Sequence, residues 1–276
     1  MLRTPSTSVF ACHSAACRPP KSGGTGGSLK SGATGSGQRP LSSAKMVEVM
    51  KATAFGKGYT DLSWTEMEQR QVQDTMVALR AAGMDRTKPR TVSAAEFERL
   101  AAESPDDVVA RSAPPVAHRE LIESDTLPLV PGSAAYGEGI YFAGGAGAAE
   151  HVRFHYEIDN NTTLRALVDY STIADHQFLL DVSKAAMSMV AGNTPSGSKQ
   201  VVDAARSLAH AFKQSKVKVW TGEGDAGSAA MIDPSVIAPL LGYKGFRILN
   251  PKGSVVNKET VSYVVILDRS ALTVAE

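Results

Sequence analysis

Apolar residues recur at helical spacing in several stretches of the chain. The stretch DLSWTEMEQRQVQDTMVALRAAGM (61–84) predicts the first helix, with Thr65 and Glu68 as a capping box and Gly83 as its stop. A second helix is predicted over 93–103, with Ser93 as N-cap. Further helical stretches are HRELIES (118–124), residues 163–191, KQVVDAARSLAHAFKQS (199–215) and DPSVIAPLLG (233–242).

Shorter runs rich in β-branched and aromatic residues predict strands between these helices. They are DDVVARSA (106–113), IYFA (140–143), HVRFHYEID (151–159), KVKVW (216–220), GFRIL (245–249) and VSYVVILD (261–268). Strands and helices mix without a strict βαβ rhythm. The pattern therefore predicts an α+β fold.

The first 45 residues lack this pattern. They are rich in Gly, Ser and Lys and offer almost nothing to bury, so they predict a flexible tail, for which a docking role stays open. The predicted organisation is a tail over 1–45, a helical segment over 46–104 and a main domain over 105–276.

Composition narrows the class of partner. The chain has 276 residues, 43% of them hydrophobic and 21% charged, which is ordinary for a soluble globular protein. Its net charge of +1 provides no global field for nucleic acid or an anionic membrane. No apolar run reaches the roughly 18 residues of a spanning helix. We therefore expect neither nucleic acid nor a membrane as a partner.

Side chains that could bind metal are scattered. Cys12, His13 and Cys17 lie close together in the tail and leave two interpretations open, a weak zinc site or idle thiols. The remaining histidines show no convincing ligand spacing, so no metal site is predicted; those considered are His118, His151, His155 and His176.

Two familiar catalytic motifs are missing from the sequence. No G-x-S-x-G occurs, which argues against a serine hydrolase. GEGDAG (222–227) has no P-loop lysine and carries two acids that would repel phosphate, so it is interpreted as a mobile loop.

The most distinctive stretch is YGEGIYFA (136–143), in which Gly137 and Gly139 precede an apolar, aromatic strand. Such glycines often mark only a bulge or a hairpin. They also let a backbone approach a ligand closely, because they lack Cβ. The stretch by itself leaves both interpretations open.

YGEGIYFA resembles the glycine-bracketed strand of ADP-ribosyltransferases, including the poly(ADP-ribose) polymerases, and a short small-residue helix, AGAAEH (146–151), is predicted to follow it here as there. The flanking segments resemble that superfamily in order: VVARSA its first core strand, HRELIES the next helix, TTLRALVDYSTIADHQFLL the strand and turn of bacterial and phage members, and LLGYKGFRI and YVVILDRSALTV their C-terminal strands. The resemblance covers about residues 85–276 and is nearest to phage-encoded domains joined to head-morphogenesis proteins. ACHSAACRPPKSGGTGGS is similar to the N-termini of phage structural proteins.

The resemblance implies a split antiparallel β core surrounded by helices, and NAD as the substrate. It implies that Arg111 clamps the phosphates or ribose of NAD through its fork of donors, and that Tyr141 lies beside the nicotinamide ring. The implied NAD-binding residues are Arg111, Ser112, Tyr136, Gly137, Gly139 and Tyr141. From the residues alone, Arg111 could also form a surface ion pair, and Ser112 could merely end its strand.

The sequence departs from the family at the catalytic acid. The resemblance puts this acid at the start of the last core strand, which falls on Tyr263 or Ser262 here, and neither is acidic. Glu259 lies upstream with the same strand parity as Tyr263, and we take it with Tyr141 as the catalytic candidates. Glu138 is a further acidic candidate, and a protein without a catalytic acid remains the alternative.

Two function classes follow from the resemblance. The first is a toxin-like, phage-encoded enzyme that transfers ADP-ribose from NAD to a protein acceptor. The second is an inactive structural or head-assembly protein that keeps the fold, with phage head or portal proteins as partners. Either class implies that the protein is located in the host cytoplasm or on the virion.

Overall fold

The computed structural model describes residues 39–53, 62–131, 136–145, 148–156, 160–216, 233–249, 255–256 and 259–276. Within these ranges there are eight α-helices: α1 (Ser43–Ala52), α2 (Trp64–Ala82), α3 (Ala94–Glu103), α4 (Pro115–Glu123), α5 (Ala148–Tyr156), α6 (His176–Val190), α7 (Lys199–Ser215) and α8 (Pro234–Leu240). The strands are β1 (Arg90–Val92), β2 (Val108–Ala113), β3 (Ile140–Gly144), β4 (Thr162–Val168), β5 (Ile173–Asp175), β6 (Gly245–Ile248), β7 (Val255–Val256), β8 (Glu259–Thr260), β9 (Ser262–Ile266) and β10 (Leu272–Ala275).

Eight of these strands form one mixed sheet in the order β1-β10-β4-β2-β3-β9-β6-β5, and β7 pairs with β8 in a separate hairpin. The pairs β1–β10 and β5–β6 are parallel, and the other pairs of the large sheet are antiparallel. A mixed sheet with helices around it is compatible with the predicted α+β class.

The connection from β4 to β5 requires the large sheet to curl. Five strand spacings separate the two strands in the sheet order, which in a flat sheet amounts to about 24 Å. The chain passes from Val168 to Ile173 in five residues, which span at most about 18 Å. The sheet must therefore bend until its β4 and β5 regions approach each other. The short connection then crosses the concave side.

Capping side chains explain where several helices begin and end. Ser93 Oγ accepts from the backbone N–H of Glu96 at 3.3 Å, so the predicted N-cap of α3 is confirmed. Gly83 ends α2 with a left-handed φ of 72°, which confirms the predicted stop. The capping box of α2 is Ser63 with Glu66, with the Ser63 N–H donating to Glu66 Oε2 at 2.8 Å. The predicted pair Thr65 and Glu68 was wrong by two residues, because both pairs have the same spacing.

Two predicted elements were wrong. Residues 151–156, predicted as strand, belong to α5, because Ala148 and Val152 are four residues apart and both pack on Ala110 and Ala143. The start of the stretch predicted as helix over 163–191 instead contains β4, a short 3₁₀ turn and β5 before α6 begins. In β4 the buried positions alternate, which is the period of a strand. The predicted strand KVKVW lies outside the described residues except for Lys216.

The predicted segment boundaries do not separate cores. Met46 of α1 and Leu79 of α2 belong to the same buried cluster as Phe142 and Val264 of the sheet. Strand β1 pairs with β10, so the helical segment and the main domain form one compact unit. Helix α1 begins within the stretch predicted as tail, and residues 1–38 lie outside the described part. None of the described helices is both long and apolar enough to cross a bilayer.

Candidate functional site

The strand register divides the predicted site residues between the two faces of the sheet. Val109 opposes Gly144, and Gly144 opposes Ser262, so these three positions share a face. Alternation along β2, β3 and β9 adds Arg111, Phe142 and Val264 to that face, and Arg247 opposes Val264. We call it the inner face: Val109, Arg111, Phe142, Gly144, Arg247, Ser262 and Val264. Tyr141, which opposes Val265, lies on the outer face.

The inner face is the concave side of the curl. Tyr170 belongs to the connection that crosses between β4 and β5. A Cβ built on Gly144 would lie 3.0 Å from the Tyr170 hydroxyl and 3.0 Å from Ser262 Oγ. The Tyr170 hydroxyl therefore lies over Gly144, and glycine at this position makes room for the tyrosine.

Arg111 is a partly buried cation in the middle of β2. Its Nη1 is buried without a hydrogen-bond partner, and it forms no ion pair with any residue that the structure describes. Burial lowers the pKa of its guanidinium, although an arginine stays charged at neutral pH. A buried donor without an acceptor is costly, so this group is available for an anionic or accepting ligand.

His118 of α4 lies close enough to Arg111 for the two charges to interact. The Thr162 carbonyl lies 2.9 Å from Nε2, so Nε2 carries the ring proton and donates, while the buried Nδ1 has no partner. Burial lowers the pKa of His118, and the neighbouring Arg111 lowers it further. The neutral ring thus offers an unused acceptor near an unused arginine donor.

A second arginine lies on the inner face. Arg247 Nε donates to Ser262 Oγ at 3.3 Å, and its guanidinium lies 4.9 Å from the centre of the Tyr170 ring. The Tyr170 hydroxyl is buried without a hydrogen-bond partner, and burial raises its pKa. Ser262, where the resemblance puts an acid, thus serves as an acceptor for arginine.

The residues before β3 form a compact loop, which we call the glycine loop (136–139). The backbone N–H of Tyr136 donates to the Tyr141 hydroxyl at 3.0 Å, and that hydroxyl donates to the Gly137 carbonyl at 2.6 Å. The ring of Tyr136 meets His176 edge-on, with 5.8 Å between ring centres. Tyr141 therefore closes its own loop through its hydroxyl.

The two glycines of the loop face other parts of the protein. Gly137 has a φ of 124°, and a Cβ there would lie 3.3 Å from Asp233 Oδ1 and from Phe246 Cζ. Gly139 has a φ of 153°, and its Cβ would lie 2.3 Å from Val265 Cγ1. Positive φ and close approach both require glycine at these positions. The close approach is to this chain's own side chains.

A buried pair of carboxyl groups lies beside the glycine loop. Asp233, the N-cap of α8, accepts from the backbone N–H of Ser235 at 2.9 Å and from the Ser235 hydroxyl. Glu138 is 1% exposed, and neither of its carboxyl oxygens has a hydrogen-bond partner. Its backbone N–H donates to Ser235 Oγ at 3.1 Å, which holds it beside Asp233.

The pKa values of the two acids follow from these bonds. Burial, followed by the nearby Asp233 and Glu68 carboxylates, raises the pKa of Glu138 to about 8. Burial also raises the pKa of Asp233, but the two bonds from Ser235 favour its charged form. Glu138 therefore holds a proton at neutral pH.

The other predicted residues are dispersed. Ser112 alternates with Arg111 and so lies on the outer face with Tyr141. Tyr263 also lies there, with its hydroxyl 3.1 Å from His151 Nε2. Glu259 belongs to the hairpin strand β8, outside the large sheet, and its side chain lies outside what the structure describes. The structure thus does not bring Arg111 together with Tyr141, and the roles given to these residues remain predictions.

The residues present fit NAD in part. The unpartnered Nη1 of Arg111 matches a phosphate or ribose oxygen of a dinucleotide. The glycine pair offers no open cradle, because its missing Cβ atoms point at Asp233, Phe246 and Val265. The fit therefore depends on the inner face, with no contribution from the glycine loop.

Elsewhere, the described part of the chain offers little additional chemistry. A shallow cavity of about 120 Å³ contains none of the predicted site residues; it is lined by Pro40, Phe178, Gln200, Ala204, Ser207, Leu241 and Tyr243. No group of three or more His, Cys, Asp or Glu among the described residues is arranged to hold a metal ion. Comparison of the chain with protein-family models, with curated proteins and with solved structures finds no match.

Sequence reasoning missed Arg247, Tyr170 and the position of His118 beside Arg111. Arg247 carried a usable signal, since a charged residue interrupts the otherwise apolar run GFRIL. Tyr170 carried none, because its place over Gly144 depends on how the sheet curls.

Proposed function

We propose that this chain is an NAD-binding protein of the ADP-ribosyltransferase type, in which Arg111 holds a phosphate or ribose oxygen of NAD. The observation that carries the proposal is the buried, unpartnered Nη1 of Arg111 on the concave side of the sheet. Its support from the sequence is the ordered series of segments that resembles this superfamily. The proposal gives no ligand contact to Tyr141, because that side chain belongs to the outer face.

Arg111 would be costly as a purely structural residue. An unmade hydrogen bond from a buried charged group costs roughly 1–3 kcal/mol or more. Neither a carboxylate nor a carbonyl within the described residues satisfies Nη1. An anionic ligand would supply that acceptor, and it would also offset the buried positive charge.

The proposed reaction is transfer of ADP-ribose to a protein side chain. The bond between the ribose anomeric carbon and the nicotinamide nitrogen breaks, and its electron pair leaves with neutral nicotinamide. A nucleophilic atom of the acceptor forms the new bond to that carbon and releases its proton to solvent. An oxocarbenium-like transition state of this kind is stabilised by negative charge placed beforehand.

Calorimetric titration of the full chain with NAD tests the binding step. Replacing Arg111 with Met keeps an unbranched side chain and removes the charge, so NAD affinity should fall about ten- to a hundredfold. Arg165→Met is the matched control, because Arg165 lies on neighbouring β4, is half-exposed and pairs with Glu98 at 2.8 Å. An unchanged affinity in Arg111→Met, or equal losses in both variants, would contradict the proposal.

A second candidate function is a structural or assembly protein that keeps the fold and the NAD contact without the chemistry. The observation that favours it is the side chain at the expected acid position. Ser262 accepts from Arg247, and Tyr263 contacts His151 through its hydroxyl. Neither supplies the negative charge that the transfer requires.

Incubation with radiolabelled NAD and host-cell lysate separates the two candidates. The enzyme predicts label on a protein band that is absent with heat-killed protein and with Arg111→Met. The structural candidate predicts NAD binding by calorimetry with no label transferred. Absence of NAD binding in the wild type would reject both.

A further inference from the structure

Arg247 and Arg111 occupy the same transverse row of the inner face. Arg247 opposes Val264, and Val264 opposes Phe142. The β2–β3 register pairs Ala110 with Ala143, so its continuation sets Arg111 opposite Phe142. Three strand spacings thus separate the two arginines, with one apolar residue of each intervening strand between them.

The two guanidinium groups are the polar groups of this row. Phe142 is 1% and Val264 0% exposed, while both arginines are only partly buried. Arg247 uses Nε on Ser262, and neither arginine forms an ion pair with a described residue. Two unneutralised arginines on the concave side of one sheet form a positive local field.

Arg247 is held in place as a binding residue would be. Its guanidinium lies over the Tyr170 ring, and its Nε donates to Ser262. These two contacts hold the guanidinium in place and leave its two terminal amino groups to donate. The position of Tyr170 depends in turn on Gly144, because a side chain there would displace the tyrosine hydroxyl.

The spacing of the arginines indicates the size of the ligand. Three spacings correspond to about 14 Å between the Cα atoms in a flat sheet and to less across a curl. Separate contacts at the two ends of the row suit an extended ligand with accepting groups at two places. A single phosphate would reach one arginine more readily than both.

We propose that Arg247, oriented by Tyr170 and Ser262, is a second ligand-binding residue that contacts a different part of the same dinucleotide from the part held by Arg111. This inference rests on the proposed function. It adds a specific claim, that the inner face holds an extended dinucleotide at two separate points. The acidic groups near Tyr170, Asp106 and Asp107, limit the negative charge that the Arg247 end accepts.

Calorimetry with two probes, NAD and AMP, tests the claim on the full chain. Arg111→Met and Arg247→Met should each weaken NAD binding about ten- to a hundredfold, and the double variant should show roughly the product of the two losses. AMP carries a single phosphate, so only one of the two single variants should weaken its binding. Arg165→Met again serves as the control. Arg247→Lys keeps the charge without the fork, and it should recover part of the affinity.

The outcomes separate this inference from the proposed function. If Arg111→Met weakens NAD binding and Arg247→Met does not, the proposed function stands and the second contact is rejected. If both single variants weaken AMP binding equally, the two arginines hold the same phosphate, and the claim that they contact separate parts of the ligand is rejected. If the wild type binds no NAD, both are rejected. Thermal unfolding of each variant shows whether a loss of affinity is caused by unfolding. If Arg247→Met is unfolded, the NAD affinity of Arg247→Lys decides whether the second contact exists.

Discussion

Arg111 on the inner face and Glu138 beside the glycine loop both have buried polar atoms without hydrogen-bond partners, but they differ in how their charge can be offset. Burial raises the pKa of both Glu138 and Asp233, and Glu138 avoids charge by holding a proton. Arg111 cannot avoid charge, because a guanidinium does not release its proton at neutral pH. A buried acid can therefore lose its charge by binding a proton, whereas the charge of Arg111 can be offset only by a partner.

The two regions also differ in role, because the glycine loop serves packing and the inner face offers groups for ligand recognition. The glycine loop carries the most distinctive motif of the sequence, yet its glycines and tyrosine hydroxyl make contacts within this chain. The inner face carries no motif, yet Arg111 on this face has a buried Nη1 without a partner. The conspicuous sequence thus maps to close packing, and the ligand site that we propose maps to two arginines in ordinary strands.

The largest expected effect is on the free energy of unfolding and comes from ionisation of Glu138. The folded pKa of Glu138 is raised from 4.5 to about 8. Between these values only the folded state holds the proton, so stability should fall by ~1.4 kcal/mol for each unit of rising pH. Glu138→Gln should remove the part of the loss that Glu138 causes, about 4 kcal/mol from pH 5 to pH 8, while Asp233, whose pKa burial also raises, keeps its own contribution.

Urea unfolding of wild type and Glu138→Gln across this pH range measures the effect. The exposed Glu120 provides the control, since Glu120→Gln should follow the wild-type curve at every pH. Parallel curves for wild type and Glu138→Gln would show that Glu138 is ionised in the folded protein, and the contrast with the arginines would fail.

Alanine at Gly139 tests whether the motif glycines serve packing. Gly139→Ala would set a Cβ 2.3 Å from Val265 Cγ1 at a φ of 153°. The clash and the strained φ should together cost about 3 kcal/mol of stability. Gly83→Ala is the matched control, with a φ of 72° and nothing within 4 Å, and should cost about 1 kcal/mol.

Equal losses in the two glycine variants would show that φ alone determines the effect. If the Gly139→Ala variant is as stable as wild type but has lost NAD affinity, the glycine loop is part of the ligand site. Urea unfolding and calorimetry on the same preparations distinguish these results.

The smallest expected effect concerns Tyr141. Removing its hydroxyl in Tyr141→Phe deletes the bonds to Tyr136 and Gly137, which should cost about 1–2 kcal/mol. NAD affinity should stay within about twofold of wild type, because the side chain lies on the face opposite Arg111. Tyr141→Leu extends the test to the ring, and a tenfold loss of affinity in a folded Tyr141→Leu would place the ring against the ligand.

The sequence by itself determined most helices, several strands and the local turn chemistry of this protein. Ser93 and Gly83 act where their spacing predicted, because caps and stops depend on hydrogen bonds within a few residues. The errors fell where local patterns are ambiguous. Residues 151–156 alternate like a strand, but packing of Ala148 and Val152 on the sheet makes them helical.

Only the tertiary structure decided the candidate site. Arg111 and Tyr141 were both identified from sequence, yet their places on opposite faces follow from the register between β2 and β3. Arg247 joins Arg111 through three strand pairings between segments far apart in the chain. A shift of one residue in any pairing would exchange the faces, and each of these pairings joins strands that are not connected by a short turn. Long-range pairing of the strands, rather than residue type, thus determined which charged side chains share a face of the sheet.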